Sequence, residues 1–125
     1  MRLLLDTHIL LWLMEDSPRL SGRARSLISE ASEIYVSSAS IWEIAIKFRL
    51  GKIKEDAEIV VAKLGAAGLR ELNVNYRHAA ATSKLPLLHG DPFDRLLIAQ
   101  AISELMQFLT ADKRLTEYSD LVICA

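Results

Sequence analysis

Four acidic side chains border or interrupt apolar segments of this sequence, namely Asp6, Glu43, Asp94 and Asp112. Asp6 and Asp112 each follow a short apolar run, and Asp94 opens an apolar helix just after a proline. An unpaired carboxylate is costly to bury, so such groups usually neutralise, pair with a cation or bind a metal ion. Which of these three outcomes applies decides what chemistry the chain carries.

Three of these positions also have an explanation that needs no metal ion. Asp6 is a favoured N-cap residue for the segment that follows it, and Asp112 suits a turn. Asp91 precedes a proline, a pattern that predicts a helix start with Asp91 as its N-cap. Asp94 then lies in the first helical turn, where the helix dipole favours negative charge. Asp6 and Asp112, the acids at strand ends, can therefore be interpreted either as local cap and turn residues or as metal ligands.

Of the four acids, Glu43 has the weakest support as a site residue from its sequence pattern alone. Ile41, Ile44 and Phe48 form an apolar stripe at helical spacing, and Glu43 points roughly away from it. Lys47 follows four residues later, so an ordinary surface ion pair explains both charged residues. However, further apolar residues cover most of the surface of this helix, so Glu43 and Lys47 form only a narrow polar strip on it. Both interpretations stay open at this point.

Two threonines stand next to acids, and the three histidines are scattered. Thr7 follows Asp6, and Thr110 precedes Asp112 by two residues, so their hydroxyls are placed to orient carboxylates or metal-bound water. The histidines form no recognisable ligand motif or catalytic triad; they are His8, His78 and His89. No glycine-rich phosphate loop is present, which removes support for a nucleotide triphosphatase.

The composition is that of a globular protein without an overall attraction to nucleic acid. The 125 residues are 51% hydrophobic and 25% charged, with a net charge of −1. Any polyanion must therefore be held by a local basic patch or by metal. The single Cys124 excludes an internal disulfide and suits a reducing cytosol. Asp6 interrupts the apolar N-terminal stretch, so we expect a strand and a helix there rather than a signal peptide. We also expect a cytoplasmic protein without a membrane span.

Short apolar strands alternate with helices along the chain. Strands are predicted at 3–5, 34–36, 69–74, 106–109 and 121–124. Helices are predicted at 9–14, 21–31, 38–50, 55–66, 75–83 and 91–104, the third of them ended by Gly51. This alternation predicts an α/β fold with a mostly parallel sheet covered on both faces. Ligands bind beyond the carboxyl ends of such strands, where Asp6 and Asp112 lie.

Four segments together carry a resemblance to a known family. They are residues 3–8 (LLLDTH), 40–44 (SIWEI), 91–101 (DPFDRLLIAQA) and 109–112 (LTAD). In this order they resemble PIN-domain nucleases and, more narrowly, VapC-type toxins of bacterial toxin–antitoxin pairs. The Asp-Pro-Phe-Asp-Arg helix and the segment Leu50-Gly51-Lys52-Ile53 are its most specific pieces. The resemblance extends over essentially the whole chain.

This resemblance implies a fold, an activity and a set of site residues. The implied fold is a single three-layer α/β/α PIN domain over residues 1–125, with about five strands. The implied activity is that of a Mg²⁺- or Mn²⁺-dependent endoribonuclease, which forms a homodimer and is inhibited by a cognate antitoxin. The implied acidic quartet is Asp6, Glu43, Asp94 and Asp112, with Asp91, Thr7 and Thr110 as auxiliary residues. Carboxylate oxygens are ligands that both cations accept.

On this basis we hypothesise that Asp6 and Asp112 hold the principal metal ion. Asp94 and Glu43 would complete its shell, position water or hold a second ion. Without metal, mutual repulsion should raise the carboxylate pKa values. Flanking cations would then hold the RNA backbone, with candidates at Lys47, Arg49, Lys52, Arg95, Lys113 and Arg114. Trp12 and Trp42 are expected in core packing or a dimer interface rather than in stacking on bases.

Three other classes of function remain open from the sequence. The first is a PIN-type nuclease for RNA maturation or DNA outside a toxin–antitoxin system. The second is a catalytically inert module that only binds a partner, which the presence of all four acids disfavours. The third is a receiver-like phosphoacceptor domain, which would need a paired acid after the first strand and a lysine after the last. Neither of those features is evident.

Overall fold

A computed structural model describes all residues, 1–125, as a five-stranded sheet between two layers of helices. The strands are β1 (Arg2–Leu5), β2 (Glu33–Ser37), β3 (Leu69–Leu72), β4 (Gln107–Thr110) and β5 (Val122–Cys124). They are all parallel, in the order β3-β2-β1-β4-β5. The predicted three-layer α/β/α fold is thus confirmed, and the sheet is wholly rather than mostly parallel.

Six α-helices and two short 3₁₀ segments connect the strands. The helices are α1 (Thr7–Glu15), α2 (Gly22–Glu30), α3 (Ser38–Arg49), α4 (Ala57–Leu64), α5 (Tyr76–Ala81) and α6 (Pro92–Glu104). The 3₁₀ segments are Thr82–Lys84 and Lys113–Tyr118. No helix is both long and apolar enough to cross a membrane.

The central strand β1 shows why the sheet needs a helical layer on each side. Leu3 and Leu5 pack into one hydrophobic cluster, with Ile9 and Leu10 of α1. Leu4 points to the opposite face and joins a second cluster with Leu97 of α6. The three leucines of β1 are completely buried. A continuous apolar strand is therefore stable only when both faces are covered, as the run predicts.

Most differences from the predicted elements occur at their ends. Helix α1 begins at Thr7 rather than residue 9, because the Leu10 amide already donates to the Asp6 carbonyl at 2.9 Å. Strand β3 ends at Leu72 rather than residue 74, and the Val74 amide instead donates to the Ser38 hydroxyl. The 3₁₀ segment after β4 was not predicted, since so short a turn leaves no periodic pattern.

Gly51 ends α3 in the manner that its position predicts. Its φ is +72°, in the left-handed region that side chains rarely adopt. The Gly51 amide donates to the Phe48 carbonyl at 3.0 Å, and the Lys52 amide donates to the Lys47 carbonyl at 2.9 Å. These two bonds form a Schellman motif, which satisfies carbonyls left free at the helix end. This end fixes where the chain leaves α3, the helix that carries Glu43.

Replacing Gly51 with alanine should therefore lower the free energy of unfolding by about 1–2 kcal/mol, the cost of a left-handed side-chain residue. The matched control is Gly65→Ala, because Gly65 has a right-handed helical backbone (φ −60°) and open space around its Cα. That control should instead stabilise the protein by about 0.4–1 kcal/mol. Urea unfolding of both variants would measure the difference, and equal effects would contradict this account of the helix end.

Candidate metal centre

The carboxyl ends of β1 and β4 meet at the point where the order of strands reverses. From β1 the chain first adds strands on one side and then returns to add β4 and β5 on the other. The Asp6 amide donates to the Leu109 carbonyl at 2.9 Å, so the two strand ends are directly joined. In open parallel sheets, ligands bind in the crevice that this reversal leaves. The fold thus places Asp6 and Asp112 at the edge of a binding crevice.

Asp6 is buried and does not act as a helix cap through its side chain. Its residue is 5% exposed, and its carboxylate makes no capping hydrogen bond to α1. Instead, its Oδ2 accepts a hydrogen bond of 2.6 Å from the Thr110 hydroxyl. Burial raises the pKa of Asp6, the Thr110 hydrogen bond and His8 oppose this rise, and the nearby charge of Glu43 adds to it. The interpretation of Asp6 as only a cap is therefore wrong.

The pKa of Asp94 shows that the acids share one region. Burial of this carboxyl and repulsion by four other acids raise its pKa from 3.8 to about 7. The repelling groups, in decreasing order, are Asp6, Asp91, Glu43 and Asp112. The other three acids singled out in the sequence, with Asp91, therefore lie within electrostatic reach of Asp94. Asp94 is the group on which the charges of all of them act.

Glu43 faces the site, and its neighbour Trp42 faces outward. Glu43 is 5% exposed, whereas Trp42 is 63% exposed and packs edge-on against Phe93 with ring centroids 5.4 Å apart. Lys47 Nζ lies 2.7 Å from Glu43 Oε2, so the predicted i,i+4 pair exists but is largely buried. The interpretation of Glu43 and Lys47 as an ordinary surface pair is therefore wrong, and so is core packing of Trp42. Its expected alternative role in a dimer interface stays a prediction.

Lys47 is held charged by this acidic surrounding. Burial acts to lower its pKa, but the hydrogen bond to Glu43 and the charges of Glu43, Asp91 and Asp94 raise it above the ordinary value. Lys47 thus supplies one fixed positive charge inside the cluster. A lysine engaged in this way is not a free contact for an RNA backbone.

Asp112 differs from the other acids because an arginine already neutralises it. Arg114 forms a two-point interaction with this carboxylate, at 2.8 Å from its Nη2 and 3.1 Å from its Nε. These hydrogen bonds lower the pKa of Asp112, helped by the Arg114 amide and its charge, although partial burial opposes them. The expectation of raised carboxylate pKa values agrees with Asp6 and Asp94 and is wrong for Asp112.

His89 belongs to the centre, although its sequence context did not single it out. Its imidazole nitrogen lies within 4.8 Å of carboxylate oxygens of Asp94 and Asp112, which also lie within that distance of each other. The His89 Nε2 atom is buried without a hydrogen-bond partner, 3.9 Å from Asp94 Oδ2. The only sequence signal was its position two residues before Asp91. The Asp91 amide donates to His89 Nδ1 at 3.3 Å, so the neutral ring carries its proton on Nε2.

Three auxiliary residues have distinct structural roles. Thr110 orients Asp6, as described above. Asp91 caps α6 as predicted, because its Oδ1 accepts from the amides of Phe93 (2.9 Å) and Asp94 (3.2 Å). Thr7 differs from its prediction, since its hydroxyl donates to the Ser40 hydroxyl rather than to an acid. The Thr7 hydroxyl therefore fixes α1 against α3, and its predicted role in orienting metal-bound water stays a prediction.

Arg95 anchors the loop before α6 instead of standing free for RNA. Its guanidinium donates to the carbonyls of Pro86 at 2.8 Å and Thr82 at 3.0 Å, and to the Tyr118 hydroxyl at 3.3 Å. These bonds hold the segment that carries His89. Of the cations suggested from the sequence, Arg95, Lys47 and Arg114 are thus already engaged within the protein.

The donor set suits a divalent cation with a preference for oxygen ligands. Burial and, to a smaller extent, repulsion by other acids raise the pKa values of Asp6 and Asp94, and a buried imidazole nitrogen beside them lacks a partner. A positive ion in the crevice would relieve the repulsion among the acids. The residues present therefore fit Mg²⁺ or Mn²⁺ on their chemistry.

The stability of the metal-free protein should depend on pH through Asp94. In the unfolded chain this group loses its proton near its ordinary value of 3.8, but the folded protein retains the proton until about pH 7. The free energy of unfolding should therefore fall as pH rises from about 4 to about 7 and then level off. Asp94→Asn removes this contribution, so it should become more stable than wild type by on the order of 2–4 kcal/mol at pH 8.

Urea unfolding in EDTA at several pH values would measure this difference. The matched control is Asp112→Asn, because the lowered pKa of Asp112 stabilises the folded protein only above the unfolded pKa. The free energy of unfolding that Asp112→Asn loses relative to wild type should reach its full value by about pH 5 and should not grow toward pH 7. A difference between wild type and Asp94→Asn that is the same at pH 5 and pH 8 would contradict the proposed repulsion.

Known proteins share both the sequence pattern and the fold of this chain. The profile of the PIN domain family matches residues 3–121. Ribonuclease VapC22 of Mycobacterium tuberculosis (strain ATCC 25618 / H37Rv) is 31% identical over 118 residues, which cover 92% of this chain and 90% of that protein. This family profile and this relative account for nearly the whole chain.

Two solved structures show the same fold at low sequence identity. One is VapBC2 from Rickettsia felis bound to a DNA fragment from their promoter, with a TM-score of 0.70 and 19% identity over 100% of this chain and 98% of that one. The other is a toxin–antitoxin complex from Klebsiella pneumoniae, with a TM-score of 0.64 and 14% identity over 96% and 94% of the two chains. With the strand order and the gathered acids, the family match over residues 3–121 leads to one conclusion: this chain belongs to the PIN domain family.

Proposed function

We propose that this protein is a divalent-metal-dependent endoribonuclease, formed by one PIN domain over residues 1–125, and the toxin of a toxin–antitoxin pair. The observation that carries the proposal is the gathering of Asp6, Glu43, Asp94 and Asp112 around one crevice, expressed in the raised pKa of Asp94. The ribonuclease named VapC22 supports the substrate class, and the toxin–antitoxin complexes of the same fold support the biological role.

The proposed metal site consists of the four acids, with Mg²⁺ or Mn²⁺ as the resident ion. Such an ion would supply Lewis acidity for activating water and positive charge for the scissile phosphate. Asp6, Asp94 and Asp112 offer oxygen ligands at the strand ends, and Glu43 adds a fourth carboxylate from α3. The imidazole of His89 stands at the same place as an additional polar group.

Neighbouring residues hold these groups in fixed orientations. Thr110 fixes the carboxylate of Asp6 by its short hydrogen bond, and Asp91 fixes the first turn of α6, from which Asp94 projects. Lys47 holds Glu43 and limits the net negative charge of the crevice. In the neutral ring, His89 keeps a proton on Nε2 toward Asp94. Preorganised groups of this kind avoid reorganisation during the reaction.

The proposed partners are RNA, a cognate antitoxin and a second copy of the chain. Exposed apolar side chains provide surface for protein partners, among them Trp42, Leu50, Ile59 and Leu87. In the Klebsiella pneumoniae complex, a toxin of this fold is assembled with its antitoxin. We propose that an antitoxin covers part of the apolar surface here and blocks access to the crevice, and that two copies associate through another part.

Removal of one acid should abolish cleavage without unfolding the protein. Loss of residues that only support a metal ligand typically costs tenfold to a hundredfold in activity. Asp6→Asn and Asp94→Asn should therefore lower the cleavage rate of single-stranded RNA by at least about a hundredfold. The matched control is Asp120→Asn, an exposed aspartate outside the crevice, which should retain wild-type activity.

Cleavage would be measured with purified protein on labelled RNA, with EDTA and with Mg²⁺ or Mn²⁺ restored. Activity that persists in EDTA, or in Asp6→Asn after purification to homogeneity, would disprove the proposed site. Cleavage of DNA but not RNA under the same conditions would reassign the protein to a DNA nuclease. No cleavage of either polymer, with bound metal demonstrated, would favour a module that only binds a partner.

Binding of metal should also stabilise the fold, independently of any cleavage. A ligand present at a hundred times its Kd adds about 2.7 kcal/mol to the free energy of unfolding. Thermal unfolding should therefore shift upward with Mn²⁺ or Mg²⁺ for wild type and Asp120→Asn. For Asp6→Asn the shift should be absent. An equal shift in Asp6→Asn would show that the cation binds elsewhere.

The role as a toxin is tested in cells. Induction of the wild-type chain should arrest growth, induction of Asp94→Asn should not, and co-expression of the cognate antitoxin should relieve the arrest. Sequencing of RNA ends soon after induction would identify the target. Normal growth on induction of an active ribonuclease would separate the enzymatic proposal from the toxin proposal.

A further inference from the structure

A groove leads away from the acidic centre along helix α1. Its first part is a cavity of about 470 Å³ that begins at Asp6 and Asp112 and extends past His8 and Trp12. A second hollow of about 270 Å³ shares His8, Trp12 and Arg19 with the first and continues to Lys54. Because these residues are shared, the two hollows form one continuous path. We call this path the α1 groove.

Two aromatic rings form the wall of the α1 groove. His8 and Trp12 lie one helical turn apart, with ring centroids 6.1 Å from each other and planes inclined at 45°. Trp12 packs against the hydrophobic core beneath it, so its indole is held in place while it also lines the groove. His8 is exposed. Trp12 thus packs against the core, as one of its expected roles requires, and in addition lines the α1 groove.

The charges along the groove suit an anionic ligand. Arg19 and Lys113 line it and form no salt bridge with any acid of the protein, whereas Arg114 is paired with Asp112. The acids at the inner end would accept a phosphate only with metal bound. Lys113 directly follows Asp112, and Arg19 lines both hollows, whereas Glu15 and Glu55 line only the second hollow. The path therefore combines a metal-binding end, aromatic rings and free positive charge.

We propose that the α1 groove binds the single-stranded RNA next to the scissile phosphate, with one unpaired base stacked on Trp12 beside His8. This inference rests on the proposed ribonuclease function and adds the position and kind of its substrate contact. Stacking on an aromatic side chain requires a base that is not paired in a duplex, and it tolerates every base. Arg19 and Lys113 contact the phosphates on either side of that base.

The second tryptophan provides a matched control within the same chain. Trp42 is exposed and lies edge-on against Phe93, and it lines neither hollow of the groove. These two are the only tryptophans of the sequence. The variant Trp42→Phe therefore has Trp12 as its sole fluorescent indole. This property allows a test that leaves the proposed contact itself unchanged.

The first test measures the fluorescence of Trp42→Phe as it binds a cleavage-resistant 2′-O-methyl oligonucleotide in the presence of Mg²⁺. A single strand should quench the Trp12 emission as it binds. A blunt duplex of the same sequence should bind more weakly and leave the emission unchanged. In the reciprocal variant Trp12→Phe, the emission of Trp42 should not respond. Binding of the single strand without any quenching of Trp12 would overturn the proposal.

The second test combines Trp12→Leu with single abasic nucleotides placed along the oligonucleotide. At one nucleotide near the cleavage site, loss of the base should weaken binding by wild type roughly fivefold to a hundredfold, the range of one stacked base. The same loss should have no further effect on Trp12→Leu. In Trp42→Leu, loss of the same base should weaken binding by the same factor as in wild type. The stacking contact would be overturned if base loss and Trp12→Leu had additive effects on binding at every nucleotide. It would also be overturned if Trp42→Leu removed the effect of base loss as Trp12→Leu does.

The outcomes separate this inference from the proposed function. If wild type cleaves RNA but Trp12 is neither quenched nor coupled to any base, the groove assignment fails and the ribonuclease stands. If wild type neither cleaves nor binds RNA, both fail. If circular dichroism shows that Trp12→Leu does not fold, the Trp12 emission of Trp42→Phe still decides the matter, because that variant leaves the proposed contact unchanged.

Discussion

Electrostatic repulsion among carboxylates at the edge of β1 and β4 is the constraint on which this structure depends. Burial of Asp94 and repulsion by four other acids raise its pKa to about 7. Such an arrangement destabilises the folded chain unless cations compensate it. The apolar core on both faces of β1 supplies the stability that tolerates this cost. The rest of the fold therefore supplies the stability that keeps these acids together.

Compensation inside the protein is incomplete, which leaves a defined requirement for an added cation. Lys47 neutralises Glu43 and Arg114 neutralises Asp112, but Asp6 has only a hydroxyl partner. A divalent ion would suit the remaining negative charge on its chemistry. The same partial compensation lets these acids gather within a stable protein.

An overall charge of −1 does not conflict with binding to RNA, because charge is distributed unevenly over the surface. The acids face the crevice, and the unpaired cations Arg19 and Lys113 line the groove that leads to it. Metal at the inner end would reverse the sign that a phosphate meets. Several cations that looked suitable from the sequence, such as Arg95, instead hold loops through carbonyl groups. Local geometry therefore decides which positive charges remain for a ligand.

The sequence by itself determined the layered parallel sheet, because continuous apolar strands such as residues 3–5 are stable only between two helical layers. It also determined the cap at Asp91 and the end of α3 at Gly51, since both follow from local backbone chemistry. Only the tertiary structure decided that Glu43 and not Trp42 faces inward. It also brought His89 and Arg19 to the site and paired Asp112 with Arg114. These contacts depend on the paths of loops and on side-chain orientations between distant segments, which no periodic pattern in the sequence specifies.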